Sequence, residues 1–134
     1  MTRVAVALLP FLTLLAACDA SESPAAAPVA DAPGLEVLAK REINPNIFSI
    51  AVTPASPPES LLTLAKETCG SRDWCQVHIW DEEASAARGF PMTDPEVAAQ
   101  RFSYSVNRAT GHDRGLWDCQ RYPATPAESC MAKE

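Results

Sequence analysis

Alternation of hydrophobic and polar residues, the pattern of a half-buried β-strand, recurs along the chain. One further run, between Pro45 and Pro54, does not alternate but is rich in β-branched and aromatic residues, and the last strand follows a turn at 108–111. The pattern predicts four strands, of which the last two form an antiparallel β-hairpin, at residues 46–52, 75–80, 102–107 and 114–119.

Helical spacing separates the first two predicted strands. A Ser-Pro-Pro-Glu sequence at 56–59 has the spacing of a capping box, and Gly70 supplies a left-handed C-cap. Two shorter helices are predicted at 81–88, an Ala-rich stretch ended by Gly89, and from Thr93 to about residue 101. The apolar face of the first helix consists of Leu61, Leu64, Ala65, Thr68 and Cys69.

The order of these elements indicates an α+β fold. A strand, a helix and a strand joined by short loops form a right-handed parallel crossover, and the hairpin adds two antiparallel strands. We therefore predict a small two-layer sandwich, with a mixed sheet of about four strands and helices mainly on one face. This single domain spans residues 35–134 and ends in a polar C-terminal tail.

Residues 18–34 precede this domain, and beyond Cys18 they are dominated by alanine, proline, serine and acidic residues. Such a composition buries too little apolar surface to offset the entropy of ordering, so it predicts a flexible tether. As polyproline II, a segment of this length spans about 50 Å. The tether can therefore hold the domain clear of a membrane surface.

The first 17 residues predict a secretory signal. Arg3 precedes an apolar stretch at 4–17, which is shorter than the about 20 residues that span a bilayer as a helix. The stretch ends in Leu15-Ala16-Ala17-Cys18, which resembles the lipobox of bacterial lipoproteins. The resemblance implies cleavage before Cys18, a diacylglycerol on its sulfur and acylation of its amine. The alternative is an ordinary signal peptide followed by an unrelated cysteine.

Charge and the residue after the lipobox bear on location. The chain carries a net charge of −6, and removal of residues 1–17 removes only Arg3, which leaves −7. An acidic body is attracted neither to anionic headgroups nor to nucleic acid, so we expect membrane attachment through lipid on Cys18 and no nucleic-acid partner. Asp19 resembles the residue that retains lipoproteins of enteric bacteria in the inner membrane. We therefore expect a lipid anchor on the periplasmic side, with the inner membrane favoured over the outer.

Five cysteines become four once Cys18 carries lipid, and the oxidising space outside the cytoplasm favours two disulfides among them. We favour Cys69–Cys75 with Cys119–Cys130, because both close short loops beside predicted element ends, and the other two pairings stay open. A zinc site is the competing interpretation, but the sequence has no Cys-x₂-Cys pair and only two histidines. We therefore expect no metal.

The sequence contains no nucleophile elbow, His-Glu-x-x-His motif or phosphate-binding glycine loop, so we expect no cofactor and no nucleotide. His78 is the candidate general base, because an unperturbed imidazole titrates near about 6.5. The structural alternative is a solvated or hydrogen-bonded histidine. His112-Asp113 lies at the tip of the hairpin, where adjacent residues rarely point at one another.

Four residues are candidates for an interaction surface. Arg72 and Trp74 lie in the loop between Cys69 and Cys75, and Arg108 and Arg114 flank the hairpin turn. A rigid exposed aromatic residue beside arginine is typical of interface hot spots, and arginines on an acidic protein suit an acidic partner. The alternative is a solvated turn with no partner.

The sequence Ser-Tyr-Ser-Val-Asn-Arg-x-Thr-Gly at 103–111, with Leu-Trp-Asp-Cys at 116–119, resembles that of uncharacterised small envelope lipoproteins, and this resemblance implies no chemistry. The sequence as a whole predicts a lipid-anchored, disulfide-stabilised cell-envelope protein. We expect a non-catalytic binding or accessory module with an envelope protein as partner. The alternative is a small envelope hydrolase or transferase that uses His78.

Overall fold

Five strands form one mixed sheet in the computed structural model, which describes residues 34–133. The strands lie side by side in chain order, with β2 parallel to β3 and every other neighbouring pair antiparallel. The predicted α+β fold with a mixed sheet is confirmed, with five strands instead of about four. Their bounds are β1 Val37–Asn44, β2 Ile47–Val52, β3 Trp74–Trp80, β4 Phe102–Asn107 and β5 His112–Trp117.

In the described part of the chain, two α-helices and one 3₁₀ turn accompany the sheet: α1 at Pro58–Cys69, α2 at Asp94–Ala99 and the 3₁₀ turn at Ala127–Ser129. Helix α1 connects the parallel strands β2 and β3 and covers one face of the sheet. The prediction placed the helices mainly on one face, but α2 lies on the opposite side, where Trp80 Nε1 donates to the Glu96 carbonyl at 2.8 Å. Within residues 34–133, no helix has both the length and the hydropathy needed to cross a membrane.

The main core lies between α1 and the sheet. The predicted apolar face of α1 is buried there, together with the alternate residues of β3 that point the same way. Because β2 and β3 are parallel and central, they contribute the largest share of fully buried side chains. The fully buried members of this core include Ile50, Val52, Leu61, Leu64, Cys69, Cys75, Val77, Ile79 and Phe102.

The start of α1 differs from the capping-box prediction. Pro57 holds the N-cap position, and Ser56 Oγ instead lies 3.1 Å from Thr53 Oγ1. A capping box does begin α2, as the Thr93 start predicts, because the Glu96 carboxylate accepts hydrogen bonds from the Thr93 backbone at 2.7 Å and from its hydroxyl at 2.9 Å. These bonds hold the pKa of Glu96 below its ordinary value.

The helix predicted at 81–88 is wrong: the chain forms turns and bends over this stretch. Ala86 and Ala87 are buried against Trp80 and Ala51 on the side of the sheet opposite α1. An isolated eight-residue helix is marginal even for an Ala-rich sequence, so these tertiary contacts decide the local structure. The alanines therefore serve as small packing residues over an indole.

Strand β1 was not predicted. It lies at the edge of the sheet, pairs on one side with β2, and carries Lys40, Arg41 and Glu42 in succession. Edge strands tolerate charged residues because their outer edge meets solvent, so the hydrophobic signal is weak. The Pro45-Asn46 pair is the signal that indicates this strand, since it forms the tight connection to β2, in which Asn46 adopts a φ of 61°.

Candidate functional site

The side of the sheet opposite α1, called the polar face below, carries a row of polar side chains across its central strands. Strand register places Ser49, His78 and Ser103 side by side on β2, β3 and β4. A second row runs through neighbouring positions toward the edge strand β5. It consists of Gln76, Ser105 and Arg114.

His78 is buried in the middle of the polar face, with 8% of its surface exposed. Its Nδ1 lies 2.8 Å from the side-chain amide nitrogen of Gln100, which also donates to the Phe102 carbonyl at 3.1 Å. A carbonyl can only accept, so the Gln100 atom between them is the amide nitrogen, and Nδ1 of His78 must accept. The neutral imidazole therefore carries its proton on Nε2. Neither His78 Nε2 nor Ser49 Oγ has a hydrogen-bond partner among residues 34–133.

Burial lowers the pKa of His78 to about 4, because the charged imidazolium loses its hydration, while the hydrogen bond from Gln100 has the smaller effect. At neutral pH the imidazole is uncharged. Ser103 Oγ lies 3.4 Å from Nδ1, which is longer than a nucleophile–base hydrogen bond, and Gln100 already occupies that nitrogen. The predicted general base is thus present as a buried, neutral side chain.

A small surface pocket lies beside His78 without including it. Its volume is about 180 Å³, below the about 300–1,000 Å³ typical of small-molecule sites. Gln100 and Ser103, the two polar neighbours of His78, line this pocket together with Val97, Leu116, Met131, Ala132 and Lys133. A substrate in the pocket would therefore meet the neighbours of His78 and not the imidazole.

The cysteine pairing is the one that loop length favours. Cys69 is bonded to Cys75, and Cys119 to Cys130, with Cα atoms 5.6 and 5.4 Å apart. All four cysteines of the described part of the chain are therefore in disulfides, whereas Cys18 lies outside it. Across residues 34–133, no three His, Cys, Asp or Glu side chains are placed together to hold a metal ion.

The loop between Cys69 and Cys75 is fixed by more than its disulfide. Arg108, on the β4–β5 turn, donates from Nε to the Arg72 carbonyl at 3.0 Å and from Nη2 to the Gly70 carbonyl at 2.7 Å. Its backbone nitrogen also donates to the Asp73 carbonyl at 2.8 Å. Trp74 follows directly, begins β3 on the polar face, and is 38% exposed. The exposed Trp74 indole therefore follows a loop that is fixed both by a disulfide and by hydrogen bonds from Arg108.

The three predicted arginines all bond to backbone carbonyls. Arg72 caps the end of α1 through the Thr68 and Cys69 carbonyls, at 2.9 and 3.2 Å. Arg108 joins it at the disulfide loop, whereas Arg114 lies further along β5 and bonds to the Glu128 carbonyl. Among residues 34–133, none of the three pairs with a carboxylate. Because a neutral carbonyl does not cancel a guanidinium charge, the three arginines keep their positive charges, although Asp73 and Asp113 lie next to them in the chain.

The other two tryptophans are less exposed than Trp74. Trp80 is fully buried, and Trp117 is half-buried with its ring centroid 4.2 Å from that of Phe102. His112 Nε2 lies 2.7 Å from Ser105 Oγ, a diagonal neighbour on β4, so its ring bonds to that strand and not to Asp113. Trp74 is therefore the one exposed tryptophan, as the sequence predicts.

Sequence reasoning missed two buried polar side chains, Gln100 and Arg101. Gln100 fixes the tautomer of His78, and Arg101, 3% exposed, bonds to Asp81, Tyr122 and two backbone carbonyls. Both follow α2 directly, where a helix end and a strand start meet. A polar pair at that position has no periodic signal, because its burial depends on segments distant in the chain.

His78 makes the stability of the domain fall in mild acid. The unfolded chain binds a proton on this histidine near pH 6.5 while the native state does not until about pH 4. The contribution of His78 to the free energy of unfolding is therefore constant above pH 6.5. It falls by on the order of 3 kcal/mol as the pH drops from 6.5 to 4. Urea unfolding of His78→Gln at a series of pH values should lack this loss.

The matched control is His112→Gln, because His112 is exposed on the hairpin. Its unfolding midpoints should keep the wild-type dependence on pH between 4 and 7. Parallel curves for the wild type and His78→Gln would contradict the buried neutral assignment of His78.

Comparisons with known proteins do not assign the chain to a family. No family model matches the chain, and searches of curated proteins and of solved structures also found no match. Two features of the described residues bear on function: a buried neutral histidine, and an exposed tryptophan that directly follows a loop fixed by a disulfide and by Arg108.

Proposed function

We propose that this is a lipid-anchored cell-envelope protein whose disulfide-bonded domain is a non-catalytic binding module for an acidic envelope partner. The observation that carries the binding proposal is the exposed indole of Trp74, held by a disulfide and by Arg108. The lipobox at 15–18 supports the anchor. Two disulfides are compatible with an oxidising compartment and so agree with export.

Rigid presentation supports binding at Trp74. An interface loses affinity when binding must first order a loop, and this loop is already closed by Cys69–Cys75 and by three hydrogen bonds from Arg108. Tryptophan and arginine are the residues most enriched among interface hot spots. The entropy cost of forming this surface is therefore met during folding and not during binding.

Charge supports an acidic partner. Arg72 precedes Trp74 by two residues and Arg108 bonds to the same loop, and among residues 34–133 neither pairs with a carboxylate, while the chain as a whole is acidic. A positive patch on an acidic body directs an acidic partner to this end of the sheet and repels it elsewhere. We therefore place the docking surface at Arg72, Trp74 and Arg108, with Arg114 further along the polar face.

The second candidate function is a small envelope enzyme that uses His78. The perturbed pKa of His78 and the pocket lined by its neighbours are the observations in its favour. Burial of the imidazole, the occupied Nδ1 and the small pocket favour a structural role instead. The binding proposal needs no change in the observed geometry, whereas the enzyme needs the polar face to open.

The anchor is tested by Cys18→Ser. Loss of the sulfur removes the site of lipid attachment, so the protein should move from the membrane fraction to the soluble fraction. The wild type should resist extraction by high salt, because an acidic body has no ionic attraction to headgroups, and should be released by detergent. Ser21→Ala, three residues away, is the control and should stay in the membrane. A wild type that is already soluble would contradict the anchor.

The docking surface is tested by Trp74→Ala in native membranes, followed by cross-linking of the protein to its partner. Truncation of a hot-spot indole should weaken the specific adduct by at least about 30-fold in affinity, since such residues contribute about 2 kcal/mol or more. Leu38→Ala is the control, because Leu38 is equally exposed at the far edge of the sheet.

The same experiment separates the two candidate functions. His78→Gln should leave the adduct and the cellular phenotype unchanged when the folded protein is equally abundant. Loss of the phenotype in His78→Gln, with Trp74→Ala silent, would overturn the binding module in favour of the enzyme.

A further inference from the structure

An apolar groove of about 410 Å³ lies at the start of α1, far along the sheet from Trp74. Its walls combine two aromatic rings with prolines and small side chains, together with the cation of Arg121. Its volume is within the range of ligand sites, unlike that of the pocket beside His78. The groove is lined by Pro58, Trp117, Tyr122, Pro123, Ala124 and Thr125.

The aromatic walls are held in place before anything binds. Trp117 packs against Phe102 at a tilt of 46° and meets Tyr122 edge-on, with the Trp117 and Tyr122 ring centroids 5.3 Å apart. The Tyr122 hydroxyl accepts a hydrogen bond from buried Arg101. The Cys119–Cys130 disulfide closes the segment that carries Tyr122 and its neighbours. The groove is therefore preformed, and an occupant does not need to order it.

Grooves walled by aromatic rings and prolines suit an extended, proline-containing chain. Such a chain adopts polyproline II, loses little entropy on docking, and places proline rings against aromatic faces. Arg121, which bonds to Asp81 and to the Pro54 carbonyl, adds a cation to this surface. The groove thus favours a proline-containing segment that also carries acidic residues.

This chain has a segment of that composition immediately before its first described residue. Residues 19–33, which lie outside the described residues, contain three prolines, six alanines and three acidic residues. The described chain begins at Gly34, where an added β-carbon would lie 3.7 Å from Cδ of Pro57. Pro57 immediately precedes Pro58, a wall of the groove. The segment therefore enters the domain within one residue of the groove.

We infer that the groove is the docking site for this chain's own segment 24–33. From Gly34, six residues of polyproline II reach about 19 Å, which is sufficient for Pro28 and Val29 to lie along the groove. A short tether also supplies a local concentration in the millimolar range, so a weak contact is enough to occupy the groove. Arg101 and Arg121 share the single carboxylate of Asp81, which leaves one net positive charge beside the groove for Asp31.

Docking changes how far the domain stands from its anchor, a consequence that rests on the proposed lipidation of Cys18. With 24–33 docked, only residues 19–23 remain as linker, about 16 Å in polyproline II, against about 50 Å for the whole tether. Docking of the segment in the groove therefore keeps the domain close to the membrane. When the segment leaves the groove, the longer linker lets the Trp74 surface reach farther from the membrane.

The test places the photo-crosslinker p-benzoylphenylalanine at position 29 in the protein purified in detergent. Illumination should give an intramolecular cross-link to the peptide that contains residues 117–125, mapped by mass spectrometry after reduction. Absence of that cross-link overturns the inference. A cross-link in a band of dimer size overturns it in favour of docking between two copies.

A pair of charge variants sharpens the result. Ala124→Asp places a carboxylate in the groove, where it repels the acidic segment, and should reduce the cross-link at least tenfold. Ala127→Asp adds the same charge to an exposed alanine outside the groove and should leave the yield unchanged. Equal yields in the two variants overturn the inference.

Cys18→Ser distinguishes this inference from the anchor, because docking within the chain does not need lipid. The cross-link should form equally in Cys18→Ser protein. Loss of membrane attachment without loss of the cross-link is the expected result, and loss of the cross-link in this variant would contradict docking.

Discussion

The buried guanidinium of Arg101 joins the segments that meet where β2 and β3 end and β4 begins. It is almost fully buried, so each of its donors needs a partner, and it finds them in Asp81, in the Tyr122 hydroxyl and in the carbonyls of Thr53 and Ser56. These groups come from the loop after β2, the end of β3 and the C-terminal segment. Removing a buried charge from such a network costs several kcal/mol, because the remaining partners are left unpaired.

The backbone of Arg101 extends the same junction. Its nitrogen donates to the Ile79 carbonyl at 2.8 Å, and its carbonyl accepts from Asp118 at 3.0 Å, so β4 begins between β3 and the end of β5. Asp81 also bonds to Arg121, which places one carboxylate between two arginines. The Arg101 side chain also bonds to the hydroxyl of Tyr122, and so fixes one wall of the apolar groove. Arg101 therefore contributes to a candidate binding surface without being part of it.

The two sides of the sheet have different roles. The side under α1 is an apolar core, whereas the polar face holds His78 in a neutral form by burial and by the amide of Gln100. Polar residues inside a small domain are often assigned to catalysis, but here Gln100 occupies Nδ1 of His78, and only His78 Nε2 and Ser49 Oγ lack a partner among the buried side-chain atoms of residues 34–133. The groups available at the surface of the described residues include an indole, arginines and an apolar groove, and these support the proposed binding role.

The sequence predicts the elements whose signals are local. β2, β3 and β4 have alternating or β-branched residues, α1 has a clean apolar stripe, and the cysteine pairing follows from short loops. Strand β1 was not predicted, because charged residues suit an edge strand. The helix predicted at 81–88 was wrong, because the alanines there pack on Trp80. The burial of Arg101 and the partner of His78 depend on contacts across the fold, which no local pattern contains. Exposure of Trp74 was foreseeable because its polar loop is short and closed.

The dependence of the fold on Arg101 is tested most directly by urea unfolding of Arg101→Lys, followed by tryptophan fluorescence. Lysine keeps the charge but lacks the planar fork that reaches Asp81, Tyr122 and two carbonyls together. The account predicts a loss of about 3–5 kcal/mol in the free energy of unfolding. An unfolding midpoint equal to that of the wild type would contradict it.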